Sequence, residues 1–176
     1  LVAYSIIFRS LFANDGLVNY VLVNLGILDK PYNFLTQPFA AKIVIILALL
    51  WRWTGYNMVF FLSGLQNIEY SVYEAAKIDG ASAIQTFFKI TVPLLKPTIL
   101  LTAIMSTNGT LQLFDESINL TDGGPANASI SMSHYIYNLC FKYVPNFGYA
   151  AAMSFFILLL VAVLAFIQMR VGDKRD

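Results

Sequence analysis

Residues 74–80 read Glu74-Ala75-Ala76-Lys77-Ile78-Asp79-Gly80, and nine residues further on the chain reads Ile90-Thr91-Val92-Pro93. This polar stretch lies between two apolar segments of membrane-crossing length. A hydrocarbon core of roughly 30 Å takes about 20 mostly apolar residues to span. The pattern therefore predicts a short, structured loop at a membrane surface, between two spans.

The composition also indicates a membrane protein. Of the 176 residues, 58% are hydrophobic and 12% are charged, outside the range of most soluble domains. Three segments are long enough to span, residues 43–65, 98–120 and 149–169. Residues 1–12 are apolar but too short, begin without Met and lack the features of a signal peptide, so we interpret them as the end of a span.

The positions of Lys and Arg predict which side each loop occupies, since cytoplasmic flanks are enriched in them. They place residues 66–97 and the C-terminal tail inside, and residues 13–41 and 121–148 outside. Both outer segments contain turn sequences in which we expect Gly to supply a positive φ, and we expect them to be ordered. The sequence predicts an all-α, polytopic transmembrane helical bundle without a soluble domain.

The inner loop contains two candidate helix starts. Ser71 with Glu74, and Ser82 with Gln85, fit the capping-box spacing, so we expect helices to begin at about residues 72 and 83. Gly80 between them can take the left-handed conformation that a sharp reversal needs. The loop is thus predicted to be a helix-turn-helix elbow.

The second helix of the elbow is predicted to be amphipathic, with Pro93 as its end. Pro97 is expected in the first turn of the next span, where proline is tolerated. Helical spacing puts one largely apolar stripe on Ile84, Phe87, Phe88 and Thr91.

The order E-A-A, three residues, G, nine residues, I-x-V-P closely resembles the EAA loop of permease subunits from binding-protein-dependent ABC importers. The consensus of that family ends I-x-L-P, so Val92 is a conservative departure. Four further stretches resemble the sugar-permease branch, nearest to the maltose-permease type: residues 62–68, 111–115, 120–125 and 148–151. The resemblance covers nearly the whole chain and implies the C-terminal part of one permease transmembrane domain, lacking its N-terminal spans.

In that family the elbow is a coupling helix that sits in a cleft of a cytoplasmic ATPase. The resemblance implies this role for residues 74–80, in particular Glu74, Ala75, Ala76, Asp79 and Gly80. Glu74 could pair with a basic residue of the ATPase, the two alanines would allow close approach, and Gly80 would hold the angle of the elbow.

The resemblance also implies the partners and the location. The partners would be a dimer of ATPase subunits, a second, similar permease subunit and an extracytoplasmic sugar-binding protein; the turn at residues 121–125 is a candidate contact or only a rigid turn. The chain would be a multi-pass protein in the lipid of a bacterial or archaeal cell membrane. It has no phosphate-binding loop, so we expect no cofactor of its own and ATP on the partner subunit. A net charge of +1 gives no sign of nucleic-acid binding.

Polar residues inside the spans are the candidates for the substrate path, because lipid cannot satisfy them. Asn108, Gln112 and Asp115 would share one face of a continuous helix at i, i+4 and i+7. Tyr56 and Asn57 on the preceding span are further candidates. The alternative for such residues is hydrogen bonding between helices.

Arg52 lies well inside the first full span, where an unpaired charge is costly. We expect it to pair with Asp115 or Glu116, or to reach a hydrated cavity. The flanking Trp51 and Trp53 are interpreted as packing residues rather than sugar platforms.

Enzymatic functions find little support. His134 and Cys140 are the one histidine and one cysteine of the sequence, so they provide neither a zinc site nor a recognisable nucleophile pair. We interpret His134 as a polar residue of an outer loop. A sugar is the expected cargo of the importer, with a polyol or a glycerol phosphate as alternatives. An ion-coupled secondary transporter or a non-transporting scaffold is disfavoured, since no carboxylate sits in mid-span and the EAA elbow would have no role.

Overall fold

The computed structural model describes residues 2–172, and every regular element among them is helical, without a strand. The all-α prediction is confirmed. The α-helices in chain order are α1 (Val2–Leu11), α2 (Leu17–Asn24), α3 (Pro38–Gln66), α4 (Tyr70–Ile78), α5 (Ala83–Thr86), α6 (Val92–Leu94), α7 (Lys96–Leu111), α8 (Met132–Tyr137) and α9 (Phe147–Gly172). Three π-helical turns, Phe87–Thr91, Ser117–Thr121 and Asn138–Lys142, follow or join the shorter helices.

Within residues 2–172, two helices are long and apolar enough to cross a membrane alone. They are α3 and α9, with 29 and 26 residues, and they contain the predicted segments 43–65 and 149–169. A third span is reached if residues 83–94 and α7, which meet at a bend of 66°, are counted together.

The prediction of one continuous helix over residues 98–120 is wrong at its C-terminal end. Helix α7 has 16 residues and stops at Leu111, and the chain is irregular before it turns again at Ser117–Thr121. Gly109 and Thr110 near this end are weak helix formers, so little local preference holds the helix together there. An apolar count does not detect such a break.

The described residues fall into two compact units. The first holds residues 2–52 and 109–160. Its core is formed by Ile45 and Ala48 of α3 and by Leu120, with Tyr4 and Phe8 of α1 packed against them. The π-helical turn Ser117–Thr121 is also in contact with α1.

Within the first unit, the predicted outer segment 13–41 is ordered around Asn19. The amide of this buried side chain donates to the carbonyls of Ala13 and Tyr32, both at 3.0 Å, and accepts from the Tyr32 N–H at 2.8 Å. The expectation of a positive φ at Gly16 is wrong, because its φ is −77°. Gly16 is needed for space instead, since a Cβ there would collide with the carbonyl oxygens of Ser10 and Leu11.

The second unit holds residues 53–108 and 161–172. Glycines allow its helices to approach closely: a Cβ at Gly64 of α3 would lie 2.9 Å from side-chain atoms of both Leu95 and Thr98. Close approach through small residues is typical of helix packing in membranes. Pro97 lies in the first turn of α7, as predicted.

Candidate functional site

The elbow at residues 74–80 is closed by a Schellman motif. The N–H of Ala81 donates to the Ala76 carbonyl at 3.0 Å, and the N–H of Gly80 donates to the Lys77 carbonyl at 3.2 Å. Gly80 has a φ of +75°, the left-handed conformation that this cap requires. Among the described residues, no atom outside Gly80 and its chain neighbours lies within 4 Å of the position that a Cβ would take, so the requirement for glycine is conformational rather than steric.

One of the two predicted capping boxes forms. Ser82 accepts from the Gln85 N–H at 3.3 Å, and the Gln85 side chain accepts from the Ser82 N–H at 2.8 Å. The box at Ser71 is wrong: among the described residues α4 begins at Tyr70, and the Ser71 hydroxyl bonds to the Glu69 carboxylate at 3.3 Å.

The first helix of the elbow presents most of its predicted coupling residues to the outside. Glu74, Ala75, Asp79 and Gly80 are exposed, and Glu74 makes no hydrogen bond or ion pair within residues 2–172. Ala76 differs, because only 5% of it is exposed. The side chain of Ala76 therefore packs against its own unit rather than offering close approach to a partner.

The second helix of the elbow does not keep one regular stripe. Ile84, Phe87 and Phe88 are exposed, but Thr91 is buried, with its hydroxyl 3.4 Å from that of Tyr73. The π-helical turn Phe87–Thr91 causes the difference, since it changes the rotation per residue on which the stripe was counted.

Pro93 also behaves differently from the prediction. It lies inside α6 rather than at a helix end, and Leu95 is the residue that precedes the 66° bend. Proline is accepted there because it stands at the second position of a new helical turn, where its missing N–H costs little.

Four polar side chains of the second unit bond between helices. Asn57 of α3 and Ser106 of α7 exchange hydrogen bonds of 3.2 and 3.3 Å. Gln168 of α9 donates to the Thr107 hydroxyl at 2.8 Å. Asn57 thus makes the interhelical hydrogen bonds that were considered as the alternative, and its role in a substrate path stays a prediction. Ser106 and Thr107, which are neighbours on α7, bond α7 to α3 and to α9.

The other substrate-path candidates are not assembled into one face. Asn108 and Gln112 are both exposed, but α7 ends between them, so the i, i+4, i+7 relation to Asp115 is lost. Tyr56 is 43% exposed and packs edge-on against Trp53, with ring centroids 5.6 Å apart. Their role in a substrate path stays a prediction.

Arg52 has the partner that was expected for it. Its guanidinium lies 2.8 Å from a carboxylate oxygen of Glu116, whose side chain is 1% exposed. The hydroxyl of Tyr4 donates to the same carboxylate, and Arg52 lies over the Tyr4 ring. A buried carboxylate requires such pairing, because burying an unpaired charge costs far more than burying a neutral group.

The tryptophans beside Arg52 serve packing, as interpreted from the sequence. Trp51 is 6.4 Å from the Tyr4 ring and 5.9 Å from the Phe8 ring, measured between centroids. It joins α3 to α1 within the first unit.

Ser117, near the end of the predicted span 98–120, forms a cluster with three side chains of the predicted outer segment 121–148, namely Asp122, His134 and Lys142. These four side chains are here called the outer polar cluster. The interpretation of His134 as a polar residue of an outer loop did not include its burial: His134 lies on α8 and is 0% exposed. Its Nδ1 lies 2.9 Å from the Ser117 hydroxyl, and its Nε2 lies 3.8 Å from the Asp122 carboxylate.

Charge and burial shift three pKa values in this cluster. The Lys142 ammonium, 2.8 Å from Asp122, holds the pKa of that carboxyl below its ordinary value and has its own pKa raised in return. Burial lowers the pKa of His134; Lys142 acts in the same direction and Asp122 opposes it. His134 is therefore neutral near pH 7.

Sequence reasoning missed Tyr4, Gln168 and the burial of His134. Tyr4 is far from Glu116 in sequence, and a single tyrosine in an apolar helix gives no local signal. Ser131, three residues before His134, caps α8 with a 3.2 Å bond from the His134 N–H, but a cap marks the start of a helix and does not predict burial.

Known transport proteins resemble this chain along most of its length. It is 55% identical over 177 residues to a lactose transport system permease protein of Rhizobium radiobacter, covering 99% of this chain and 59% of that protein. It is 37% identical over 160 residues to a trehalose/maltose transport system permease protein of Thermococcus litoralis, covering 91% and 53%. The chain thus spans less than two thirds of the length of these relatives.

Solved structures share the fold. A bacterial ABC transporter involved in the import of the acidic polysaccharide alginate matches with a TM-score of 0.85 at 24% identity, over 99% of this chain and 61% of that one. A bacterial alginate ABC transporter in complex with an alginate pentasaccharide-bound periplasmic protein matches with a TM-score of 0.74 at 26% identity, over 98% and 58%.

The family comparison agrees with the overall resemblance that the sequence indicated. Residues 3–175 match the family described as the inner membrane component of binding-protein-dependent transport systems. The chain belongs to this family of binding-protein-dependent transport system inner membrane components.

Proposed function

We propose that the chain is the C-terminal part of a permease subunit of an ABC importer, which moves a saccharide delivered by an extracytoplasmic binding protein. The subunit would work beside a second permease subunit in a bacterial or archaeal cell membrane, as a multi-pass protein. ATP would be bound and hydrolysed by separate cytoplasmic ATPase subunits. The chain itself would carry out no covalent chemistry.

The observation that carries this proposal is the elbow. Its backbone is fixed by the Schellman motif at Gly80, while Glu74 and Ile78, which is 85% exposed, leave its first helix uncovered. Ile84 and Phe88 on the second helix are 72% and 65% exposed. A rigid turn with two acidic and several apolar exposed side chains is suited to insertion into a cleft of another protein.

The elbow is also joined to the helices that would line the path. Residues 83–94 run into α7 through the 66° bend, and α7 is hydrogen-bonded to α3 and α9 by Asn57–Ser106 and Gln168–Thr107. A displacement of the elbow by an ATPase would therefore act on three helices together. This is the mechanical step that couples ATP hydrolysis to alternating access.

A saccharide is the proposed cargo because of the relatives. Their names give lactose for the protein of Rhizobium radiobacter and trehalose or maltose for that of Thermococcus litoralis. A polyol or a glycerol phosphate imported by the same machinery would need similar hydroxyl-binding groups. The two possibilities are separated by measurement of the transported ligand.

The test is ATP hydrolysis by the full-length permease, reconstituted with its partner permease, ATPase and binding protein. A panel of di- and monosaccharides, polyols and glycerol phosphates is supplied in turn. We expect hydrolysis to be stimulated by a saccharide and only when the binding protein is present. Hydrolysis that no ligand stimulates in an intact complex would contradict the proposal. Stimulation by a polyol alone would show that the cargo is a polyol and not a saccharide.

A further inference from the structure

The outer polar cluster contains a histidine whose tautomer can be deduced from its surroundings. A serine hydroxyl has one hydrogen to donate and two lone pairs with which to accept. The Ser117 hydroxyl donates to the Ser129 carbonyl at 2.8 Å, since a carbonyl can only accept. It accepts from the Ser131 N–H at 3.2 Å, which leaves one lone pair.

His134 must therefore donate a hydrogen bond to the remaining lone pair of the Ser117 oxygen. Its Nδ1 lies 2.9 Å from the Ser117 oxygen, so the neutral ring carries its hydrogen on Nδ1. Nε2 is then the lone-pair side of the ring. Among residues 2–172 it has no hydrogen-bond partner, although it is buried and only 3.8 Å from the Asp122 carboxylate.

The groups around Nε2 oppose one another. Asp122 favours a proton there, whereas burial of the ring and the Lys142 ammonium disfavour it. Arg9 of α1 acts on Asp122, and the tyrosines 137 and 143 lie near Lys142. The edge of Phe114 covers the ring, with centroids 6.0 Å apart, and Glu116, one residue before Ser117, is engaged by Arg52.

Asp122 is also part of the backbone of residues 121–130, here called the outer turn. It ends the π-helical turn Ser117–Thr121 with a φ of +50°, and its N–H donates to the Ile118 carbonyl at 3.1 Å. Its carboxylate links this turn to Lys142, which ends the turn Asn138–Lys142. Any group that competes with Lys142 for Asp122 therefore acts on the shape of residues 121–130.

We propose that Nε2 of His134 is a proton-binding site, and that a proton there exchanges the Asp122–Lys142 contact for an Asp122–His134 contact and reshapes the outer turn. The proton converts Nε2 from a lone pair into an N–H directed at the Asp122 carboxylate. This inference rests on the proposed function for its consequence: acidification outside the cell weakens docking of the binding protein on the turn.

The direction in which stability changes with pH follows from the burial of His134. Its pKa in the folded protein lies below the ordinary value of about 6.5, so the unfolded chain binds more protons between the two values. The stability that neutral His134 gives to the turn is complete above about pH 6.5 and is lost as the pH falls through the lower, folded pKa. Asp122 changes charge in a more acidic range, because its pKa is lowered as well.

The direct test is nitrogen NMR of the assembled transporter in which only this subunit carries ¹⁵N-labelled histidine rings. The signal of His134 is identified by its loss in His134→Asn. We expect Nδ1 to be protonated and Nε2 bare at neutral pH, with titration of Nε2 below about 6.5. A ring protonated on Nε2 at neutral pH, or no titration wherever the complex stays assembled, would overturn the inference.

Two further variants separate proton binding from a merely structural role. Asp122→Asn removes the charge that favours the proton, so the His134 midpoint should move to lower pH. Lys142→Gln removes a charge that disfavours it, so the midpoint should move to higher pH. Shifts of both variants in one direction would contradict the proposed arrangement of charges, even if His134→Asn does not fold.

The functional consequence is tested by binding-protein-stimulated ATP hydrolysis across the same pH range. The asparagine amide can replace Nδ1–H toward Ser117 but does not titrate, so the acid-induced loss of stimulation should be several-fold smaller in His134→Asn. An equal loss in both proteins would overturn the regulatory role. Absence of stimulation at neutral pH would instead count against the proposed function, and it would leave the NMR titration unchanged.

Discussion

The elbow and the outer polar cluster hold their shapes in opposite ways. The elbow is fixed by backbone bonds over six residues, and its side chains at Glu74 and Ile78 are exposed. The outer polar cluster is fixed by side chains far apart in sequence, and Ser117 and His134 are 0% exposed. A shape that is held by backbone hydrogen bonds leaves its side chains available to a partner. A shape that is held by buried side chains does not, because those side chains are already in contact with one another.

The largest expected effect extends this comparison to a second structure held by side chains distant in sequence, the pair of Arg52 and Glu116. Arg52→Gln leaves the buried Glu116 carboxylate without the guanidinium that it contacts, which costs roughly 3–5 kcal/mol. Glu116→Gln should cost less, because the side chain of Arg52 is 18% exposed and Asp115 also acts on its charge. The double variant retains two neutral groups that can bond to each other, so it should cost clearly less than the sum of the two single changes. The measurement is denaturant unfolding of the full-length subunit in detergent.

The control for this cycle is Arg9, which contacts the Asn119 carbonyl at 3.4 Å from an exposed position. Arg9→Gln should change the unfolding free energy by about 0–1 kcal/mol. Additive costs for Arg52→Gln and Glu116→Gln would show that the two charges do not interact, contrary to the structure.

A smaller effect is expected at the elbow, whose shape depends on the backbone angle φ of Gly80. A β-branched residue at the Gly80 φ of +75° costs about 1–3 kcal/mol of strain, so Gly80→Val should open the elbow. We expect ATP hydrolysis to persist while uptake falls. Both rates are measured in the same proteoliposomes.

Gly80→Asn is the matched control, because asparagine tolerates the left-handed conformation and no neighbouring atom obstructs a side chain. Uptake per ATP should stay near that of the parent protein. If the two variants lose coupling equally, side-chain bulk at a contact surface, rather than the angle of the elbow, is the cause.

The comparison also explains which features the sequence could predict. Gly80, the Ser82 capping box and the long helices α3 and α9 depend on local patterns, and the structure contains them. The burial of His134 depends on packing between distant segments, and the end of α7 at Leu111 is a local break that a count of apolar residues does not detect. A partner for Arg52 could nevertheless be predicted from the sequence, since a charge inside a span is costly without one.

The smallest expected effect concerns the bonds that join α7 to α3. Asn57→Ala removes the exchange of hydrogen bonds with Ser106, and such bonds in membranes contribute on average about 0.6 kcal/mol. We expect a slight loss of stability and ligand-stimulated hydrolysis close to that of the parent protein. A large loss of ligand stimulation with unchanged stability would support a role for Asn57 in the substrate path.

The central claim is that the elbow contacts the ATPase while the outer segment does not. It is tested most directly by placing a photo-cross-linker on a single cysteine, in the assembled transporter with Cys140 replaced by serine. Ile78→Cys and Val144→Cys are matched positions, 85% and 89% exposed. We predict cross-linking of position 78 to the ATPase and none of position 144; equal cross-linking at both, or cross-linking at position 144 alone, would contradict the account.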